Sequence, residues 1–397
     1  MSSAITTAED DTALKDLRLP YQPELDGIRG LAVSLVLVFH TGVSWLPGGY
    51  VGVSVFFTLS GFLITRLLIT EFEITGGVRL GNFWIRRFRR LIPASLLCLM
   101  LVWAAAMFGL LPTMEHLQRD VWSAIFQVFN WAQLASDQSY TELLTGAPGA
   151  LDHYWSLAIE EQFYWVWPLV VVLLARRQSI GIGIAGITGA AFLAAPLIAV
   201  FFGADAAYWA TPARAGEILA GCTLAVLVQH RPSPMSVIGT PIASIGLFVI
   251  ILCAVTWPTE SGPAYSGWAP VFSIASVALI WGSSSGPASV LLSSRGLVAV
   301  GGLSYGLYLY HWPVYIVISS ESTGWDRWLL TFVRLAVTSV IAILSYTLLE
   351  QPIRRGRLTD RALFAGVGGF TVLLLLGSIA ITPPTQRFTV SNAETFA

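Results

Sequence analysis

GIRGLAVSLVLVFHTG, residues 27–42, places ten small or apolar residues between Arg29 and His40. At about 100° per residue, the eleven steps from one to the other make three turns plus about 20°, with a rise of about 16 Å. The two side chains share one face of a helix. An ionisable group in hydrocarbon costs about 2.5 kcal/mol even on lenient insertion scales, so this stripe turns toward protein or water. A buried polar stripe on an otherwise apolar helix marks both a membrane bundle and a candidate site within it.

The rest of the chain agrees. It is 55% hydrophobic and 11% charged with a net charge of −1, against about 25% charged in ordinary soluble domains, and its mean hydropathy is +0.70. This predicts an all-α, polytopic integral membrane bundle, and a near-neutral charge argues against nucleic acid as a partner. Lys15 is the only lysine, so the basic residues are nearly all arginine. Cys98, Cys222 and Cys253 sit apart in apolar stretches without metal or disulfide spacing, and read as small buried hydrophobes. No set of residues has metal-ligand spacing, and no glycine-rich phosphate loop or Gly-x-Ser-x-Gly elbow occurs.

A membrane span takes about 20 mainly apolar residues, and about eleven stretches qualify. They run near 27–46, 51–70, 91–111, 155–175, 180–202, 212–229, 236–256, 267–283, 297–319, 328–349 and 362–382. With the N-terminus inside, Lys15/Arg18, Arg86 to Arg90, Arg176/Arg177, Arg231, Arg295 and Arg354/Arg355/Arg357/Arg361 all fall on one side, as the positive-inside rule requires. The opposite side receives a loop of about 111–152 with Glu115, Asp120, Asp137 and Glu142. The expected organisation is a cytosolic tail over 1–22, a membrane domain over 23–383 and a short extracytoplasmic tail over 384–397. The alternative is a bundle of about ten spans in which 236–256 or 267–283 is re-entrant. The acidic, polar start has no cleavage signature and reads as a tail. No internal repeat of the kind that builds many transporters is visible.

Several polar groups lie where hydropathy alone would not put them. In PGGYVGVSVFFTLSGFLITRLL, Gly48 and Gly49 permit a sharp turn, and Gly52, Ser60 and Gly61 allow close helix approach. NFWIRRFRRLIP sets Arg86, Arg87, Arg89 and Arg90 before a span. Interface anchoring accounts for such arginines, yet planar guanidiniums also suit bidentate phosphate contacts, and a cytosolic polyphosphate such as a nucleotide or coenzyme A fits them. In LDHYWSLAIEEQFYWVWPLV, Ser156, Glu160 and Tyr164 share one face, while Glu161 points about 100° away and can serve a helix N-terminus at the interface. Glu160, in a dry site or beside His40 or Arg29, suits acid/base work. LSYGLYLYHWPVYI holds His311 among Tyr305, Tyr308, Tyr310 and Trp312, the setting of a satisfied core histidine as much as of a reacting one; Pro313 removes a helix hydrogen bond. In SYTLLEQPIRRGR, Tyr346, Glu350, Pro352 and Arg354 read as a helix stop with interface charges.

Taken in order, ELDGIRGLAV through His40, GGYVGVSVFFTLSGFLI, RRFRRLIPA, HYWSLAIEEQFYWVWP, SYGLYLYHWP and LEQPIR resemble the membrane acyltransferase 3 family, the group that includes O-antigen, peptidoglycan and macrolide O-acyltransferases. The resemblance covers residues 20–360. It implies a multi-pass enzyme of the bacterial cell membrane that moves an acyl group, usually acetyl, from acyl-CoA to a hydroxyl of a sugar or glycoside, often across the membrane. No cofactor is held permanently; acyl-CoA is a co-substrate. The family's essential arginine and histidine fall on Arg29 and His40, its arginine-rich donor segment on Arg86, Arg87, Arg89 and Arg90, and its acidic block on Glu160 to Tyr164. Many relatives carry Asp where this chain has Ser54, so no role of that carboxylate carries over. Larger members append an SGNH-type domain, whereas this sequence stops soon after its last span, which implies transfer completed alone or handed to a separate extracytoplasmic transferase.

On this reading His40 is the base for the acceptor hydroxyl and the arginine cluster holds CoA phosphates. Arg29 holds phosphate or fixes the histidine through Asp26 or Glu160. Ser156, Glu161, Tyr164, Tyr308, His311 and Glu350 remain acceptor-binding or supporting candidates. Two rivals stay open: a carrier of a small glycoside, and a subunit of polyprenol-glycan assembly whose arginines meet a lipid phosphate.

Overall fold

The computed structural model describes residues 20–112, 116–136, 148–229, 236–259, 261–356 and 358–380. Residues 1–19 with Lys15 and Arg18, the segment 384–397, and Glu115, Asp137, Glu142, Arg231 and Arg357 lie outside the described residues.

Among the described residues every regular element is helical. The first helix, α1 (Pro23–Phe39), opens on a proline, whose missing N–H is no loss in a first turn. It ends where His40 leads into Gly42, which takes a φ of +76°. After it come α2 (Val51–Thr75), α3 (Leu80–Met107), α4 (Leu117–Ile125) and α5 (Phe129–Leu134). Then follow α6 (Tyr154–Arg176), α7 (Ile180–Trp209), α8 (Thr211–Val228) and α9 (Ser236–Thr256). The chain continues as α10 (Ala269–Gly282), α11 (Gly286–Leu292), α12 (Arg295–Gly302) and α13 (Ser304–Val317). It closes with α14 (Arg327–Ser345) and α15 (Asp360–Ala380).

Each predicted span contains helix, though the first is helical only to Phe39 and 297–319 is broken at Leu303 into α12 and α13. Among the described residues eight helices are long and apolar enough to cross a membrane, or nine if α10 and α11, bent by 91° to each other, count as one span. That bend lies at the end of the 267–283 stretch weighed above as re-entrant. Of the predicted spans, those at 27–46 and 297–319 fall short, with helices α1 of 17 residues and α13 of 14, both largely buried.

Three differences from the sequence reading have physical causes. The 111–152 loop carries two short helices, α4 and α5, pinned to the bundle by side chains: Gln162 donates to the Gln127 carbonyl (2.8 Å) and to Asn130 Oδ1 (2.9 Å), and Asn130 donates to the Trp209 carbonyl (3.0 Å). The helix stop expected at LEQP is absent. A π turn over Tyr346–Glu350 carries α14 on to Arg354, and its wider radius takes up Pro352, whose ring would clash with the carbonyl four residues back in a regular helix. Ser60, read as a packing residue, hydrogen-bonds Glu160 instead.

Small residues set the tightest contacts. Gly61 of α2 faces the Ile218 carbonyl of α8, and Gly221 of α8 faces the Thr58 carbonyl of α2; a methyl group on either would overlap that oxygen. α1 and α12 repeat the device through Gly30 and Gly301, as the small-residue rule for membrane helices leads one to expect. These contacts draw α1 and α2 into the middle of the bundle, with α3, α6 and α13 closing round them.

Candidate active site

A cavity of about 270 Å³ lies where α1, α2, α3, α6 and α13 meet. Arg29, Arg87 and Arg90 line it, with Ser60, Glu160 and Tyr164, then Ser156, Tyr305 and Tyr308; Val53, Phe56, Phe57, Leu63, Ile64 and Leu67 of α2 form an apolar wall. Ser156, Glu160 and Tyr164 occupy one face of α6, as their spacing of four predicts. The Arg87 guanidinium lies 5.6 Å from the centroids of Phe83 and Tyr164. The Ser156 hydroxyl meets the Tyr308 hydroxyl at 2.5 Å. Eight residues of α6 separate Tyr164 from Ser156, about 12 Å, so the cavity has an arginine end and a hydroxyl end.

The four donor-side arginines divide by their partners. Arg87 and Arg90, three apart, face the cavity. Arg89 is turned about 100° from Arg90, and Arg86 about 100° from Arg87 but only about 40° from Arg90; both serve the scaffold. Arg86 approaches Glu71 at 3.6 Å, half exposed. Arg89 pairs with Asp360 (2.6 Å) and donates to the carbonyls of Ile353 and Leu358 (2.9 Å each), tying α3 to the start of α15. Arg29 pairs with Asp26 at 2.7 Å. Glu160 accepts from Ser60 at 2.6 Å, and Ser60 stands 3.2 Å from the Tyr164 hydroxyl. Neither carboxylate bridges Arg29 to His40: the rise of about 16 Å along α1 is too long for one carboxylate to span.

His40 meets a different partner. Its Nδ1 lies 3.2 Å from His311 Nε2, and its ring is flanked edge-on by Phe39 and Trp312. His311 is fully buried, and its Nδ1 is 2.5 Å from the Tyr308 carbonyl. His153 packs against it with ring centroids 5.7 Å apart. Pro313 explains where His153 is anchored. Without an N–H at 313, the Leu309 carbonyl loses its helical donor; His153 Nε2 takes it at 2.9 Å and Cys98 Sγ at 3.4 Å. Pro168 works likewise, freeing the Tyr164 carbonyl for the Trp84 indole N–H (3.1 Å). Tyr308, with its side chain at the cavity and its carbonyl on His311, joins the hydroxyl end to the histidines.

Two candidates lie elsewhere. Glu350 is buried behind α13, 3.3 Å from the Ser345 hydroxyl, which also meets the Tyr310 hydroxyl at 2.8 Å. Glu161 lines a neighbouring cavity of about 480 Å³, mostly apolar, between α3, α4, α6 and α15, which shares Arg87 and Tyr164 with the first.

The sequence reading missed His153's place beside His311, and missed Arg214 and Glu217 altogether. Arg214, 2% exposed, donates to both Glu217 oxygens (2.5 and 3.1 Å) and to the Tyr208 carbonyl (3.1 Å). Its guanidinium is packed by Phe57, Trp155 and Tyr208. Ser54 lies 3.5 Å from it, and Glu217 meets the arginine's charge. Opposite charges three residues apart inside the apolar 212–229 stretch were the available signal.

The fold and cavity define a multi-pass helical membrane protein with a cation-lined interior pocket. Residues 22–349 match the family described as an acyltransferase domain, and the chain belongs to that family, the membrane acyltransferase 3 group. It is similar to the peptidoglycan O-acetyltransferase OatA of Listeria monocytogenes, 35% identical over 351 residues that cover 84% of this chain and 56% of the relative. It is also similar to the O-acetyltransferase OatA of Staphylococcus aureus, 32% identical over 350 residues, 84% of this chain and 57% of the relative. The chain thus spans little more than half the length of these relatives. No solved structure matches it.

Proposed function

We propose that the chain is an acyl-CoA-dependent O-acyltransferase of the bacterial cell membrane, moving an acetyl group to a hydroxyl of a cell-envelope glycan. The observation that carries this reading is the two-ended cavity, with Arg29, Arg87 and Arg90 at one end and the Ser156–Tyr308 hydroxyls at the other; the His40–His311 pair stands behind Tyr308, whose carbonyl contacts His311. The relatives' names supply the acyl group and the class of acceptor.

With the N-terminus cytoplasmic, the arginine end faces the cytoplasm. Guanidiniums there take the phosphates of CoA through charge-assisted bonds, and the pantetheine arm runs along the apolar wall toward Tyr308. His40, partly exposed beside the open Gly42–Trp45 loop, receives the acceptor. The acceptor hydroxyl attacks the thioester carbonyl as His40 removes its proton. The new C–O bond forms, the C–S bond breaks, and the CoA thiolate leaves with the proton from His40. A positioned base of this kind contributes about 10²–10⁴-fold. Glu160, hydrogen-bonded to Ser60, helps orient the arm.

Replacing Arg87 and Arg90 together by Gln is expected to raise the acetyl-CoA KM by about 10-fold or more, since a hydrogen bond to a charged group contributes about 1.5–3 kcal/mol, with a smaller change for acetyl-dephospho-CoA. Arg89→Gln should leave KM unchanged. An unaltered KM in the double variant would contradict the phosphate site. One observation favours a second reading: the apolar cavity beside Arg87 suits a polyprenyl phosphate. Competition of that lipid with acetyl-CoA would support it.

A further inference from the structure

We propose that His311 is a positioning residue that fixes the tautomer of His40, holding its proton on Nδ1 and leaving Nε2 as the basic nitrogen. The inference rests on the reading of His40 as base and assigns the group that makes it one.

One atom beside His311 has a single possible role. A carbonyl oxygen can only accept, so the 2.5 Å contact between His311 Nδ1 and the Tyr308 carbonyl puts a proton on Nδ1. The ring's neighbours are Tyr308, Trp312, Tyr315, His40 and His153, none of which offers a negative charge. A fully buried ring so surrounded is neutral, so its Nε2 carries a lone pair. That lone pair faces His40 Nδ1 at 3.2 Å. One of two facing nitrogens must donate, and only His40 has a proton to give. His40 is therefore protonated at Nδ1, and its Nε2 is bare.

The sequence builds this order into one turn of α13. Tyr308 supplies the carbonyl that sets His311, and Leu309, released by Pro313, supplies the carbonyl that holds His153 against the same ring. When His40 takes the acceptor's proton on Nε2 it becomes cationic, and the bond it donates to His311 strengthens as charge develops. The reverse tautomer of His40 would aim its lone pair at His311 and offer the acceptor an N–H.

Gln and Met test this directly, because they are close in shape and only Gln places a strong acceptor where Nε2 stands. In thiol release from acetyl-CoA with a glycan acceptor, His311→Met is expected to lower kcat about 100-fold while the acetyl-CoA KM stays within about twofold. His311→Gln should recover about tenfold of that loss, and in a His40→Ala background neither change should cost anything further. If His311→Met fails to fold, His311→Phe, which keeps the ring's packing, takes its place. A folded Met or Phe variant with wild-type kcat, or Gln and Met variants equally impaired, would overturn the assignment. Full turnover by His40→Ala would instead remove the base itself, so the two failures are distinguishable.

Discussion

The carboxyl of Asp152 shows how much one buried residue can report about the state of the fold. It lies just ahead of α6, accepting from Gln133 (3.1 Å) and from the Gly149 N–H (2.7 Å). Burial first, and the neighbouring Asp120 second, hold it well above the ordinary carboxylate range, against the opposing effect of the Gly149 N–H. The folded protein thus binds this proton more tightly than the unfolded chain does. Stability conferred by it is complete below the unfolded value of about 3.9 and is lost as pH rises from there through the elevated folded value. Thermal unfolding of the purified protein should show a midpoint that falls with pH across that window, and Asp152→Asn should make the slope shallower; an unchanged slope would show that another group carries it. The neighbouring residue, His153, illustrates the limit of local reading. Its place in HYWSL was visible, but its anchor is a carbonyl 156 positions away that only Pro313 sets free.

At the scale of elements, contacts between α2 and α8 rest on absent side chains. A methyl group added at Gly221 would meet the Thr58 carbonyl, part of the α2 backbone, which cannot yield as a flexible side chain does. Gly221→Ala is expected to cost about 1–3 kcal/mol, the usual range for overpacking, and to lower the melting temperature of the detergent-solubilised protein; Gly189→Ala, in open space on α7, should leave it unchanged. Helices themselves were legible because membrane spans announce themselves by run length, and helical phase correctly placed Ser156, Glu160 and Tyr164 on one face. Partners divide Arg87 and Arg90 from Arg86 and Arg89, a distinction lost when the four are read as a cluster. What pattern could not supply was which helix stands behind which. Ser60 looked like a packing residue until α6 brought Glu160 to it, and the Arg214–Glu217 pair passed unnoticed in a stretch otherwise read only for its hydropathy.

For the molecule as a whole, one stripe on α1 organises the account. Its two ends have different company: Arg29 lines the cavity with Arg87 and Arg90, while His40, about 16 Å along the helix, meets His311 beyond Tyr308. On the proposed function, the bundle would separate a place for phosphates from a place for a hydroxyl, the division that transfer from a cytoplasmic thioester to an envelope glycan requires. A carrier would need the same polar lining but would never break a thioester. The most direct measurement is therefore free thiol released from acetyl-CoA by the purified protein in vesicles, with and without a glycan acceptor, for the wild type and for His40→Ala. Acceptor-dependent thiol release is expected from the wild type, and a loss of about 10²–10⁴-fold in the variant. Wild-type protein that releases no thiol with any acceptor, or a folded His40→Ala variant with undiminished turnover, would contradict it.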